Sequence, residues 1–164
     1  MTAQILTQEY LKTIFDYKDG HLYWKVTLSN RVQIGRKTGF MNSNGYLQTC
    51  INKETYLNHR LIYIWHYGVE PQFIDHIDGT RINNKIENLR EVTTSQNCKN
   101  GKLRKNNKSG VKNVHWYKRD KKWCVDLKVN GKLKNFGKFE DLELAELVAN
   151  EARKLYYGEY SREK

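Results

Sequence analysis

A chain of 164 residues with 38% hydrophobic side chains, 29% charged side chains and a single proline fits one ordinary globular domain or two small ones, and excludes a disordered or fibrous protein. The longest uninterrupted apolar stretch, residues 61–65, falls far short of the roughly 20 residues a membrane span needs. Lys and Arg number 29 against 18 acids, a formal net charge of +11, so a polyanion is the expected partner.

In chain order, Gln8–Tyr17 places Leu11, Ile14 and Phe15 at helical spacing and predicts a short opening helix. Asp19-Gly20 reads as a turn into a strand over His21–Val26. Gly45–Ile51 and Thr55–Leu57 flank Asn52-Lys53-Glu54 as a hairpin. His59–Tyr67 is apolar at 61, 62, 64 and 65 and stops at Gly68, which predicts a second helix. Two short strands, Phe73–Ile77 and Leu89–Thr93, are separated by a polar loop in which Asp78-Gly79 reads as a turn. Thr94 is placed to cap a helix over Ser95–Lys99.

Residues 99–110 contain one apolar side chain, Leu103, and read as a basic linker. Beyond it, Val111–Lys118, Lys122–Val129 and Lys132–Phe139 read as three strands, the last two joined by the hairpin signal Asn130-Gly131. Glu140–Tyr157 follows as an amphipathic helix with Leu144, Ala145, Val148, Ala152, Leu155 and Tyr156 on its apolar face, ended by Gly158. The expected organisation is α+β, with segments 1–98, 99–108 and 109–164.

Charge follows the same division. Residues 1–98 hold 11 basic and 9 acidic side chains, whereas residues 99–138 hold 14 basic and 2 acidic. The second stretch interleaves its cations with His115, Trp116, Tyr117 and Trp123, the mixture that contact with nucleic acid calls for. Three cysteines, Cys50, Cys98 and Cys124, form no CxxC pair. A disulfide framework and a cysteine–zinc site are therefore set aside, and a reducing cytoplasm is expected. The N-terminal residues carry no charged-then-apolar export pattern.

The chemistry concentrates between residues 75 and 97. Asp75-His76-Ile77-Asp78-Gly79 is followed by Asn88-Leu89-Arg90 and then by Asn97. Phosphodiester hydrolysis needs a base for water and a cation for the phosphate. A strand-borne His beside an Asp, faced by an amide from a following helix, supplies such a set. The oxygen donors of Asp75 and Asn97 suit a hard cation such as Mg2+ or Mn2+. Asparagine occurs 16 times in the chain, so it is the joint pattern, and not any single Asn, that carries the reading.

Through NHRLIYIWHYG and IDHIDGTRINNKIENLREVTTSQN, residues 59–97 resemble the HNH homing endonucleases of phage and introns, of the ββα-metal fold. The resemblance implies His76 as general base, Asp75 and Asn97 as metal ligands, and Asn88 as the catalytic-triplet residue that fixes the loop and orients the His ring. His59 and Arg60 fall where relatives carry a His-Arg pair and read as helix positions that buttress the site, while Arg81, Lys85 and Arg90 read either as clamps on flanking phosphates or as solvated loop charges.

Residues 109–158, through SGVKNVHWYKRDKKWCVDLKVNGK, residues 136–139 and the helix ending YYGEY, resemble the Apetala/ethylene-response-factor DNA-binding domain. In that family a three-stranded antiparallel sheet on one helix enters the major groove. Strand alternation places Val114, Trp116, Trp123, Val125, Leu127 and Phe136 toward the helix, and His115, Tyr117, Cys124, Asp126, Lys128 and Asn135 toward DNA. Lys112, Arg119 and Lys134 fall where basic contacts belong.

The resulting expectation is a site-specific DNA endonuclease of the cytoplasm of a phage-infected bacterium. It acts on double-stranded DNA as a monomer or weak dimer, with no small-molecule cofactor and no membrane. The alternative is a non-cleaving DNA-binding regulator on the same scaffold. An RNA-binding accessory protein is the third reading, disfavoured by tryptophans expected to face inward.

Overall fold

The computed structural model describes residues 6–30, 32–93, 96, 103 and 106–160. They form an α+β fold of several small antiparallel sheets with helices, and the chain divides into two compact units, residues 1–93 and 94–164. No helix among the described residues is long and apolar enough to cross a membrane.

In the first unit, helix α1 (Gln8–Ile14) is capped by the Thr7 hydroxyl and ends at Phe15. Strand β1 (Phe15–Lys18) follows, where the sequence predicts continued helix, and pairs with β2 (His21–Trp24). The pairing explains the difference. Asp19 and Gly20 both take positive φ, 47° and 79°, which folds β1 back onto β2 through a two-residue hairpin turn and buries Phe15 against Trp24 with ring centroids 4.6 Å apart.

A second sheet joins β3 (Phe40–Met41), β4 (Leu47–Ile51) and β5 (Glu54–Leu57), with Asn52 and Lys53 as the positive-φ turn between the last two. Helix α2 (Asn58–Tyr67) begins directly after β5 and ends on Gly68 in the left-handed region, as the sequence predicts. Leu61, Ile62 and Ile64 of α2 enter a core with Leu11, Ile14, Phe15, Leu22, Trp24, Ile51 and Leu89. The last pair is β6 (Ile74–His76) with β7 (Leu89–Glu91), in register Asp75 opposite Arg90 and His76 opposite Leu89.

Gly20 couples the first hairpin to the loop before β7. A Cβ built there would lie 2.8 Å from the backbone nitrogen of Lys85, at a φ side chains avoid. Gly20→Ala is expected to destabilise the protein by about 2 kcal/mol, read as a lower urea midpoint at unchanged m-value.

In the second unit, β8 (Val114–Tyr117), β9 (Lys122–Val129) and β10 (Lys132–Phe139) form an antiparallel sheet with β9 central. Asn130 and Gly131 make the positive-φ hairpin turn. Helix α3 (Leu142–Tyr157), capped by Asp141, covers one face. Its buried residues are Ala145, Ala149, Ala152, Arg153 and Tyr157, a stripe rotated from the predicted one. Leu144 and Leu155 are 49% and 76% exposed, because alanines allow the helix to sit close against Val125 and Leu127. Trp116 also differs: it is 44% exposed, lying on edge strand β8 and meeting Trp123 edge-on at 4.9 Å, since α3 packs chiefly on β9 and β10. The inward-facing tryptophans that argued against RNA are thus reduced to Trp123.

Candidate functional site

β6 ends on adjacent Asp75 and His76, both buried. Ladder pairing sets Arg90 of β7 across from Asp75, and its Nε and Nη2 donate to Asp75 Oδ2 at 3.1 and 2.9 Å. Arg90, expected on DNA phosphate, is therefore turned into the site as the partner of the neighbouring carboxylate.

The His76 ring is 5% exposed, and its Nε2 lies 2.9 Å from Asn84 Oδ1. An amide oxygen only accepts, so in this contact the ring Nε2–H donates to Asn84. His59 of α2 meets the same ring edge-on at 5.2 Å, and Tyr46 packs on His59 at 5.3 Å. Burial, then the charges of His76 and Arg60, push the His59 imidazole down to about 3. His59 Nδ1 and Asn84 Nδ2 are buried polar atoms without hydrogen-bond partners, and both belong to residues packed on His76. Most buried polar groups find a hydrogen-bond partner. Arg60 binds Glu70 and the carbonyl of Pro71, bracing the segment that leads into β6.

A folded-state pKa below the unfolded value means that the unfolded chain binds the extra proton. The stability held by neutral His59 is therefore complete above about pH 6.5 and is lost as pH falls toward 3. His59→Gln is expected to shrink the fall in unfolding free energy between pH 7 and pH 5 by about 2 kcal/mol, measured by urea titration at each pH.

Asn88, at the end of a single 3-10 turn (Ile86–Asn88), holds the loop between β6 and β7. Its Oδ1 accepts from the Asp78 N–H at 3.0 Å, while its Nδ2 donates to Asp78 Oδ1 at 3.0 Å and to the Asn83 carbonyl at 2.8 Å. Asp78 also accepts from the Thr80 N–H and the Asn83 amide. Burial pushes its carboxyl upward, but these hydrogen bonds outweigh it and hold the pKa below the ordinary value. The turn expected at Asp78-Gly79 is thus a loop clasp as well. Ring placement comes from Asn84, which sequence reasoning passed over: one Asn in an Asn-rich stretch carries no signal until the loop is folded. Arg81 is exposed, stacks 5.0 Å from the Tyr46 ring and donates to the Asn44 carbonyl. Asn97 and the helix predicted over residues 95–99 fall outside the described residues except for Gln96, which is helical.

On the second unit, the sheet face away from α3 carries His115, Tyr117, Cys124, Asp126, Lys128, Asn135 and Lys138, as strand register dictates. Tyr117 lies beneath Lys138 at 4.2 Å and Arg119 at 5.4 Å. Lys134 pairs with Leu127 in register and donates to the Tyr156 hydroxyl of α3, so it sits on the helix side. The Lys112 carbonyl accepts from the buried Arg153. Among the described residues, the group of three His, Cys, Asp or Glu side chains able to hold a metal ion is His115, Cys124 and Asp126 on this sheet. The sequence reading, which looked for paired cysteines, missed it.

The β6–β7 hairpin and its clasped loop lie inside residues 56–99, which match the HNH endonuclease family; the first unit therefore carries a nuclease-family domain. Over 107 residues the chain is 33% identical to Protein 3.8 of Escherichia phage T7, covering 63% of this chain and 88% of that protein. The chain belongs to the family of this phage protein. No solved structure matches it.

Proposed function

We propose that the chain is a site-specific, metal-dependent DNA endonuclease of the HNH homing type, acting in the cytoplasm of a phage-infected cell. Residues 1–98 form the nuclease module on a ββα-metal frame. Residues 99–108 are a basic linker, and residues 109–164 are a DNA-binding module of the Apetala/ethylene-response-factor kind. The observation that supports this best is the adjacency of Asp75 and His76 at the end of β6, within the nuclease-family segment, with the His76 ring held through Asn84.

Asp75 offers a buried carboxylate and Asn97 a carboxamide, an oxygen donor set that fits Mg2+ or Mn2+. When bound there, such an ion supplies charge neutralisation at the scissile phosphate. His76 Nδ1 takes a proton from water, whose oxygen attacks phosphorus as the P–O bond to the leaving strand breaks. Asn84 keeps the ring in the required tautomer, and Asn88 with Asp78 keeps the loop from collapsing onto it. Arg90 holds the Asp75 carboxylate, and Arg81 offers positive charge beside the phosphate. Lys112, His115, Tyr117, Arg119, Lys128 and Asn135 form the DNA-facing set of the second unit, with Lys134 at its margin.

Sequencing the ends produced when the intact chain is incubated with phage and host DNA in magnesium tests this reading. Breaks at a small set of positions, absent with chelator, are expected. DNA that is bound in a gel shift yet stays intact in magnesium and in manganese would establish the regulator instead.

A further inference from the structure

We propose that His115, Cys124 and Asp126 form a second metal centre, a zinc site on the outer face of the C-terminal sheet, separate from the oxygen-donor site of the nuclease unit. It goes beyond the endonuclease reading and stands without it.

Three observations carry it. The first is spacing. Asp126 Oδ2 lies 3.7 Å from His115 Nε2 and 3.6 Å from Cys124 Sγ, and all three ligand atoms fall within 4.8 Å of one another. Ligands about 2.0–2.3 Å from a tetrahedral zinc ion stand about 3.3–3.6 Å apart, so two edges of the triangle already approach the length a bound ion requires.

The second is outer support. The Asn135 amide Nδ2 donates to Asp126 Oδ1 at 2.8 Å and to Cys124 Sγ at 3.0 Å, and its own Oδ1 accepts from the Gly137 N–H at 3.2 Å. That backbone bond, at the β-bulge between Asn135 and Gly137, fixes which end of the amide faces the cluster. One carboxylate oxygen is thereby occupied and the other aimed at His115 and Cys124, the kind of second layer that orients metal ligands.

The third is chemistry. A thiol, an imidazole and one carboxylate make a borderline-soft set that selects zinc over magnesium. Cys124 is buried while the His115 side chain is exposed, so the site has a closed floor and an entry from solvent.

Thiolate ligation exchanges one thiol proton for a divalent ion. The ion would tie β8 to β9, with β10 supporting through Asn135. It would also add one unit of positive charge to the face proposed to meet DNA.

Cobalt titration of the intact chain is the test, because a cobalt–thiolate bond has a charge-transfer absorption that oxygen and nitrogen ligands lack. One equivalent of Co2+ is expected to saturate the band, and zinc, but not millimolar magnesium, to abolish it. Cys124→Ser should remove the band, and Cys50→Ser and Cys98→Ser should keep it. His115→Ala, an exposed change that spares the core, should weaken zinc binding at least about a hundredfold, and Asn135→Ala about tenfold. Absence of the band from the wild-type chain, its survival in Cys124→Ser, or unchanged zinc affinity in His115→Ala would each overturn the site. His76→Ala should leave the band untouched, so failure here and failure of the nuclease reading are distinguishable.

Discussion

His76→Ala is expected to lower the single-turnover rate of DNA nicking by about a thousandfold while DNA affinity and the unfolding midpoint in urea change little. General-base catalysis of this kind contributes roughly 10²–10⁴ in rate. His59 touches the same ring, but its imidazole is pushed down to about 3 by burial, which makes it a poor proton acceptor at neutral pH. The substitution exchanges a ring at the end of a three-residue strand for a methyl group, and the main core of the unit, built on Leu11, Phe15, Leu22, Leu61 and Ile62, is not opened. Loss of rate with loss of DNA binding would instead make His76 a structural residue.

Ending the chain after residue 108 should weaken binding to double-stranded DNA at least about a hundredfold at physiological salt, and flatten its salt dependence. Each phosphate contact by Lys or Arg contributes close to one unit to the slope of log affinity against log salt. Removal of residues 109–164 takes away Lys112, Arg119, Lys128, Lys134 and Lys138 among others. The first unit keeps a hydrophobic core of its own, so the truncated chain remains a meaningful test. An unchanged slope, measured by fluorescence anisotropy from 50 to 200 mM salt, would mean that the basic sheet is not the DNA anchor.

Local chemistry made much of this architecture legible. Asp19-Gly20 and Asn130-Gly131 announced turns, and both adopt the paired positive φ that such dipeptides accept readily. Gly68 ends α2 in the left-handed region. What the sequence hid depends on partners distant in the chain. Phe15–Lys18 continues a helical pattern and becomes a strand only because β2 pairs with it. The buried stripe of α3 is set by close alanine packing, so larger leucines nearby misled the reading. Trp116 is uncovered because it lies on an edge strand.

The site divides in the same way. Adjacent Asp75 and His76 can be read in the sequence, and so can the loop-fixing role of Asn88. That Arg90 pairs with Asp75 follows from the β6–β7 register, and that Asn84 holds the His76 ring follows from the course of a polar loop. The His115–Cys124–Asp126 group escaped because its members come from two strands brought side by side, with no ligand spacing along the chain to reveal it.

The central claim, that water activated by His76 breaks a DNA backbone bond, is tested most directly by digestion in heavy-oxygen water followed by mass analysis of the new ends. The intact chain in magnesium should place one labelled oxygen in the phosphate at each nick, and the His76→Ala chain, under the same conditions and bound to the same DNA, should yield almost no nicks. Intact DNA with the wild-type chain, or labelled nicks formed equally fast by His76→Ala, would contradict it.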